Sequence, residues 1–200
     1  MLSLPLSPVD DSDNLRWEFR CFWPENAIIT LQGLDHNLLK LSHYETKKKD
    51  DVYFLLPNSH YNLKLRRNDF VYKPLLKQLP HRTAYGNKIK LHNEASLDPR
   101  SRSPNIDITQ LLKRMKQEGK KITVQKETLS YTFNTKPNAT IELERLMIGN
   151  VVYFSICIES RSGLLVDNIA KHLLKEPISC DYVSFLKQLE SAPNDDIRYP

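Results

Sequence analysis

Glycine is scarce in this chain, with five in 200 residues. None sits in a G-x-G-x-x-G or P-loop pattern, so a glycine-rich loop wrapped around phosphates is excluded. The three cysteines, Cys21, Cys157 and Cys180, are odd in number and share no C-x-x-C spacing. That argues against a disulfide framework or a cysteine-rich zinc centre and fits a reducing, cytoplasmic setting. The six histidines form no H-E-x-x-H, and His36 and His43 read as surface residues. A G-x-S-x-G nucleophile motif is missing too. No apolar run is long enough to cross a bilayer, and the opening "MLSLPLSPVDD" is broken by prolines and carries no basic leader. No signal peptide and no membrane partner are therefore expected.

What remains is ordinary for a globular domain: 40% hydrophobic and 26% charged residues, with a formal net charge of +5. The length suits one domain, placed at residues 15–190 between an acidic tail, 1–14, and a C-terminal tail, 191–200. The basic balance favours anionic partners without choosing among nucleic acid, phosphorylated small molecules and lipid headgroups.

Several segments alternate with period two. "RWEFRCFW", from Arg16, sets Trp17, Phe19 and Cys21 against Glu18 and Arg20. Pro24-Glu25 predicts a short helix ending near Gly33. The stretch from His36 to Pro57 reads as a hairpin whose solvated tip carries Lys47, Lys48, Lys49, Asp50 and Asp51. Two strands follow around a turn at Asn68-Asp69, and residues 77–105 read as a long loop. Asp107 caps a helix closed by Gly119. Three long strands come next, "KITVQKETLSYTF", "ATIELERLMI" and "VVYFSICIES", then helices over 162–175 and 180–190. The expected class is α+β: an antiparallel β-barrel, tunnel-like, of about eight strands with flanking helices.

Alternation places Arg20, Lys64, Arg66, Lys73 and Lys126, with Glu18, Glu142, Glu144 and Glu159, opposite apolar neighbours on their strands. Either this is a wet sheet face laced by cross-strand pairs, or it is the charged lumen of a barrel. A lumen of both signs suits polyphosphates, which need several cations, and divalent metals, which need carboxylate oxygens.

The order of these motifs resembles the CYTH superfamily, the triphosphate tunnel metalloenzymes. "WEFRCF" stands where that family has E-x-E-x-K, with Arg20 at the second glutamate and Phe22 at the lysine. "KKDDVYFLLPNSHYNLKLRRNDFVYK" resembles its D-x-Y strand and the basic strands after it. "VQKETLSY" is similar to V-x-K-x-R-x-x-Y, with Glu127 taken for the arginine, and "IELERLMI" and "FSICIES" resemble the late Glu strands. The resemblance spans roughly residues 15–175. It implies that Arg66, Lys73 and Lys126 bind phosphates, with Lys64 and Arg20 as further clamps. It implies that Glu18, Glu142, Glu144 and Glu159 hold Mg²⁺ or Mn²⁺, with the last three orienting a water. The reaction would be metal-dependent hydrolysis of triphosphate or a nucleoside triphosphate by in-line attack.

Two other functions stand beside it: an inert relative binding polyphosphate, nucleotide or RNA, and a protein-interaction scaffold whose exposed face and loop at 77–105 bind a protein. Tyr61, Tyr72 and Tyr85 lie among basic residues, where they would either stack on bases or simply pack.

Overall fold

The computed structural model describes residues 15–91, 107–175 and 178–191. The tail 1–14, most of the C-terminal tail and the part of the expected loop from 92 to 105 lie outside them. Ten strands form one antiparallel sheet: β1 (Arg16–Pro24), β2 (Glu45–Leu55), β3 (Asn62–Arg66), β4 (Asp69–Lys73), β5 (Leu75–Leu79), β6 (Arg82–Tyr85), β7 (Ile89–Lys90), β8 (Lys120–Phe133), β9 (Ala139–Ile148) and β10 (Val151–Ser160). Their order is β5-β6-β1-β10-β9-β8-β2-β3-β4-β7. The helices are α1 (Ile108–Glu118), α2 (Gly163–Leu173) and α3 (Tyr182–Ser191).

The sheet is strongly curled. β1 and β4 are six strands apart in the order, about 29 Å in a flat sheet. Yet Lys73 Nζ of β4 donates to Glu18 Oε2 of β1 across 2.7 Å. The chain itself crosses the seam, because β4 ends at Lys73 and β5, at the opposite end of the order, begins at Leu75. Pro74 makes the bend, and its carbonyl accepts from Gly86 N–H at 2.9 Å. The seam is thus closed by covalent connection and side-chain pairing, with no ladder between β4 and β5. The expected charges on the inner face are present.

Three apolar clusters follow from the alternation. Outside, α2 lays Val166, Ala170 and Leu173 over Phe19, Cys21, Ile156 and Ile158. Also outside, α1 sets Leu111 and Met115 on Phe54, Leu63 and Tyr72. Asp107 caps α1 as expected, accepting from Gln110 N–H at 3.1 Å. The third cluster is inside: Tyr182, Val183, Phe185 and Leu186 of α3 pack on Phe22, Tyr53, Val124 and Leu146 of the concave face. Phe22 stacks on Phe185 with ring centroids 3.8 Å apart. Beyond Glu18, β1 has no β6 partner, so the approach to α3 pairs with its free edge. Cys180 N–H donates to the Arg20 carbonyl at 2.7 Å, and Arg20 N–H to Ser179 Oγ at 3.2 Å. That pairing steers the last helix into the lumen.

Four expectations need correction. No helix forms between Pro24 and Gly33, where Ile28-Ile29-Thr30 is a β-branched run and Gln32 N–H is held by the Leu173 carbonyl at 2.8 Å. Residues Lys47–Asp51 are not a hairpin tip; they run through β2, paired to β8 along its length. The start of the supposed long loop folds into β5, β6 and β7, so there are ten strands rather than about eight. Finally, the β3–β4 turn is at Arg67-Asn68, whose φ values of 50° and 65° are the two left-handed positions of a two-residue hairpin turn.

Candidate functional site in the lumen

Register puts every expected site residue on the concave face. Across β1 and β10, Glu18 opposes Glu159 and Arg20 opposes Cys157; across β10 and β9, Cys157 opposes Glu142 and Ser155 opposes Glu144. Thr128 of β8 faces Glu144, and Lys49 of β2 faces Lys126. Lys64 sits opposite Tyr53, and Lys73 opposite Asn62.

The charges form two knots. In the first, Arg20 Nε donates to Glu18 Oε1 at 3.0 Å, while its Nη1 bonds Glu144 Oε2 and reaches Ser155 Oγ at 3.0 Å. Lys73 Nζ lies between Glu18, at 2.7 Å, and Glu159, at 3.5 Å, and Arg16 reaches Glu159 at 3.2 Å. Burial raises the Glu18 pKa, but Lys73 and Arg20 outweigh it and hold the carboxyl far below its ordinary value. For Glu144, burial is likewise overcome, chiefly by Arg20. Glu159 goes the other way: burial pushes it up, and Lys73 does not fully counter that burial and the nearby Glu18 charge.

The second knot centres on Asp51, which is 0% exposed. Its Oδ2 accepts from Arg66 Nη2 at 2.6 Å and from Lys64 Nζ at 3.2 Å, with Lys126 Nζ also 3.2 Å away. Lys126 also donates to Tyr53 Oη at 2.9 Å and lies 3.8 Å from the Tyr182 ring centroid. Asp51 is buried, yet its hydrogen bond from Arg66 and the charges of Lys126 and Lys64 hold its pKa far down. Lys64 is pushed well below its ordinary value, first by burial and then by Lys126.

These contacts test the expected metal. Among the described residues, Glu18, Cys157 and Glu159 offer three ligand-type atoms within 4.8 Å of one another. But the Lys73 ammonium bridges Glu18 and Glu159, and the Arg20 guanidinium bridges Glu18 and Glu144. Burial raises the Cys157 thiol well above its ordinary pKa, so it stays protonated. A divalent ion would have to displace two buried, hydrogen-bonded cations. Mg²⁺ or Mn²⁺ does not fit this donor set. Glu142 stands apart, half-buried, with Lys49 Nζ at 3.8 Å.

Other sequence readings shift as well. Glu127 is on the outer face with Lys48 and Arg145; the inward residue is Thr128, buried, its hydroxyl without a hydrogen-bond partner. Tyr72 and Tyr85 are buried and Tyr61 packs edge-on against Tyr72, so these rings pack rather than offer faces to bases. Sequence reasoning missed Asp51 and Tyr182. For Asp51 the signal was present in Lys47, Lys49, Asp51 and Tyr53, a period-two run through the supposed turn. Tyr182 carries no such signal, because nothing in its helix's apolar stripe says which side of the sheet it will cover.

No family model and no curated protein matches the chain. Solved structures do. The PH1819 protein of Pyrococcus horikoshii is 15% identical, with a TM-score of 0.41 over 86% of this chain and 99% of that one. A candidate adenylate cyclase of Bacillus halodurans is 10% identical, with a TM-score of 0.39 over 92% and 96%. The Mimivirus capping enzyme triphosphatase is 12% identical, with a TM-score of 0.37 over 75% and 82%. Among the described residues no helix is long and apolar enough to cross a membrane. The functional reading rests on this chain's own lumen.

Proposed function

We propose that the lumen binds a triphosphate-type polyanion and does not hydrolyse it with a divalent metal. The observation that carries this reading is Arg20, whose guanidinium is bonded to Glu18 and Glu144 where a metal would need both carboxylates. A guanidinium cannot polarise a phosphoryl oxygen as a Lewis acid or generate a metal hydroxide. It can neutralise anionic charge and donate hydrogen bonds in a fixed fork. Around Asp51, three cations converge on one carboxylate, leaving positive charge for a ligand to balance. The hydroxyls of Thr128 and Tyr182, buried and without protein partners, are further donors suited to phosphoryl oxygens.

The test is a thermal melt with tripolyphosphate in the presence of EDTA, run beside a phosphate-release assay with Mg²⁺ and with Mn²⁺. Ligand at about a hundred times its Kd adds roughly 2.7 kcal/mol, which for a chain this size raises Tm by roughly 5–10 °C. The expected result is that shift without metal, and no phosphate release with either ion. Release that Glu144→Gln abolishes would overturn the non-hydrolytic reading. No shift at any ligand concentration would overturn binding.

A further inference from the structure

The inner cations each already hold a carboxylate: Lys64, Arg66 and Lys126 share Asp51, and Arg20 bridges Glu18 and Glu144. α3 fills the far part of the lumen with Tyr182 and Phe185. Open space lies instead at the other end, where the start of β1, the 86–88 connection across the seam and the residue after β10 come together. There Arg16, Lys73, Asn87, Lys88 and Arg161 surround a cavity of about 210 Å³.

 

At about 30 Å³ per water, 210 Å³ is room for an extended oxyanion rather than a single water.

We infer that the mouth, through Arg16, Lys73, Lys88 and Arg161, is the seat of the polyanion's outer phosphoryl groups. The inference rests on the binding function proposed above and names where that binding is anchored. Four cations line the cavity, and the nearby carboxylate Glu159 already serves both Arg16 and Lys73. Lys88 and Arg161 form no salt bridge among the described residues. Lys88 lies at the exposed edge of the cavity, where partial desolvation and then the Lys73 charge lower its pKa, as expected where positive charge is in excess. Lys73 belongs both to this cavity and to the buried Glu18 knot, so a chain of phosphoryl groups seated at the mouth would run inward along it. Seats for several charges favour tripolyphosphate over pyrophosphate, and both over inorganic phosphate.

The experiment is calorimetric titration of the full chain with those three anions at fixed ionic strength. It compares wild type, a Lys88→Gln/Arg161→Gln double variant and a Lys113→Gln/Lys116→Gln control, which removes equal charge from α1. The mouth variant should bind tripolyphosphate weaker by roughly ten-fold or more, the control should match wild type, and all three should melt alike without ligand. Wild-type affinity in the mouth variant would overturn the inference while leaving lumen binding intact. Equal loss in the control would reduce the effect to bulk charge and also overturn it. No binding by wild type would overturn the proposed function itself, and this inference with it.

Discussion

The two charge knots differ in sign. Around Glu18, two buried cations, Arg20 and Lys73, serve three carboxylates, with only the exposed Arg16 reaching Glu159 from outside; around Asp51, three cations serve one. Neither knot would be tolerable alone in a buried setting, since desolvated charge must be paired and hydrogen-bonded. They meet at Lys126, which feels both Asp51 and Glu144. On the carboxylate-rich side the protein's own cations stand between the carboxylates a metal would need, while the cation-rich side keeps a surplus. A lumen of mixed sign can therefore be closed to a metal and still attract an anion.

Acid should break both knots at once, and that is the largest effect expected. Glu18, Asp51 and Glu144 all have folded pKa values held below the ordinary range. Their contribution is fully present above the unfolded values, about 4, and is lost as pH falls toward the folded ones. Glu159, raised by burial, opposes this only in part. Thermal melts from pH 7 to pH 2.5 should show a plateau down to about pH 5 and then a steep fall in Tm. A flat profile to pH 3 would mean the knots contribute little.

Single substitutions separate the two sides. Asp51→Ala strands Lys64, Arg66 and Lys126 and should cost about 3–5 kcal/mol, or roughly 10–15 °C in Tm. A loss under about 1 kcal/mol would remove Asp51 as the hub. Arg20→Met should cost somewhat less, about 3 kcal/mol, because Glu18 and Glu144 can take up a proton once unpaired. It should also create what wild type lacks: a Tm that rises with millimolar Mn²⁺. If wild type responds to Mn²⁺ as strongly as the variant, Arg20 is not what keeps the metal out.

Much of this was readable in the residues. Strict alternation in "RWEFRCFW" and "IELERLMI" fixed which side chains face inward, and the register bears that out for Glu18, Arg20, Glu142 and Glu144. What alternation does not encode is pairing across the lumen. Lys73 and Glu18 are 55 residues apart and meet only because the sheet curls. The Lys47–Asp51 run misled because five consecutive charges look like a wet turn, whereas one face of it lines a lumen. The placement of α3 inside depended on the free edge of β1 beyond Glu18, a property of the assembled sheet.

The smallest effect should come from Glu142, one of the three lumen carboxylates, with Glu144 and Glu159, that the resemblance implied would be catalytic. Its partner Lys49 is 3.8 Å away, and both side chains are 20% exposed. At that separation and exposure, solvent screens the pair and rotamer entropy offsets much of the attraction, so it is worth about 0.5–1 kcal/mol. Glu142→Gln and Lys49→Gln should each lower stability by that amount. In a double-mutant cycle the coupling should shrink further in 1 M NaCl, where the Debye length is about 3 Å. Glu144→Gln, which breaks a buried bond to Arg20, should cost several times more and show little dependence on salt. If urea denaturation found the two glutamates equally costly, Glu142 would have to belong to the buried knot rather than stand apart from it.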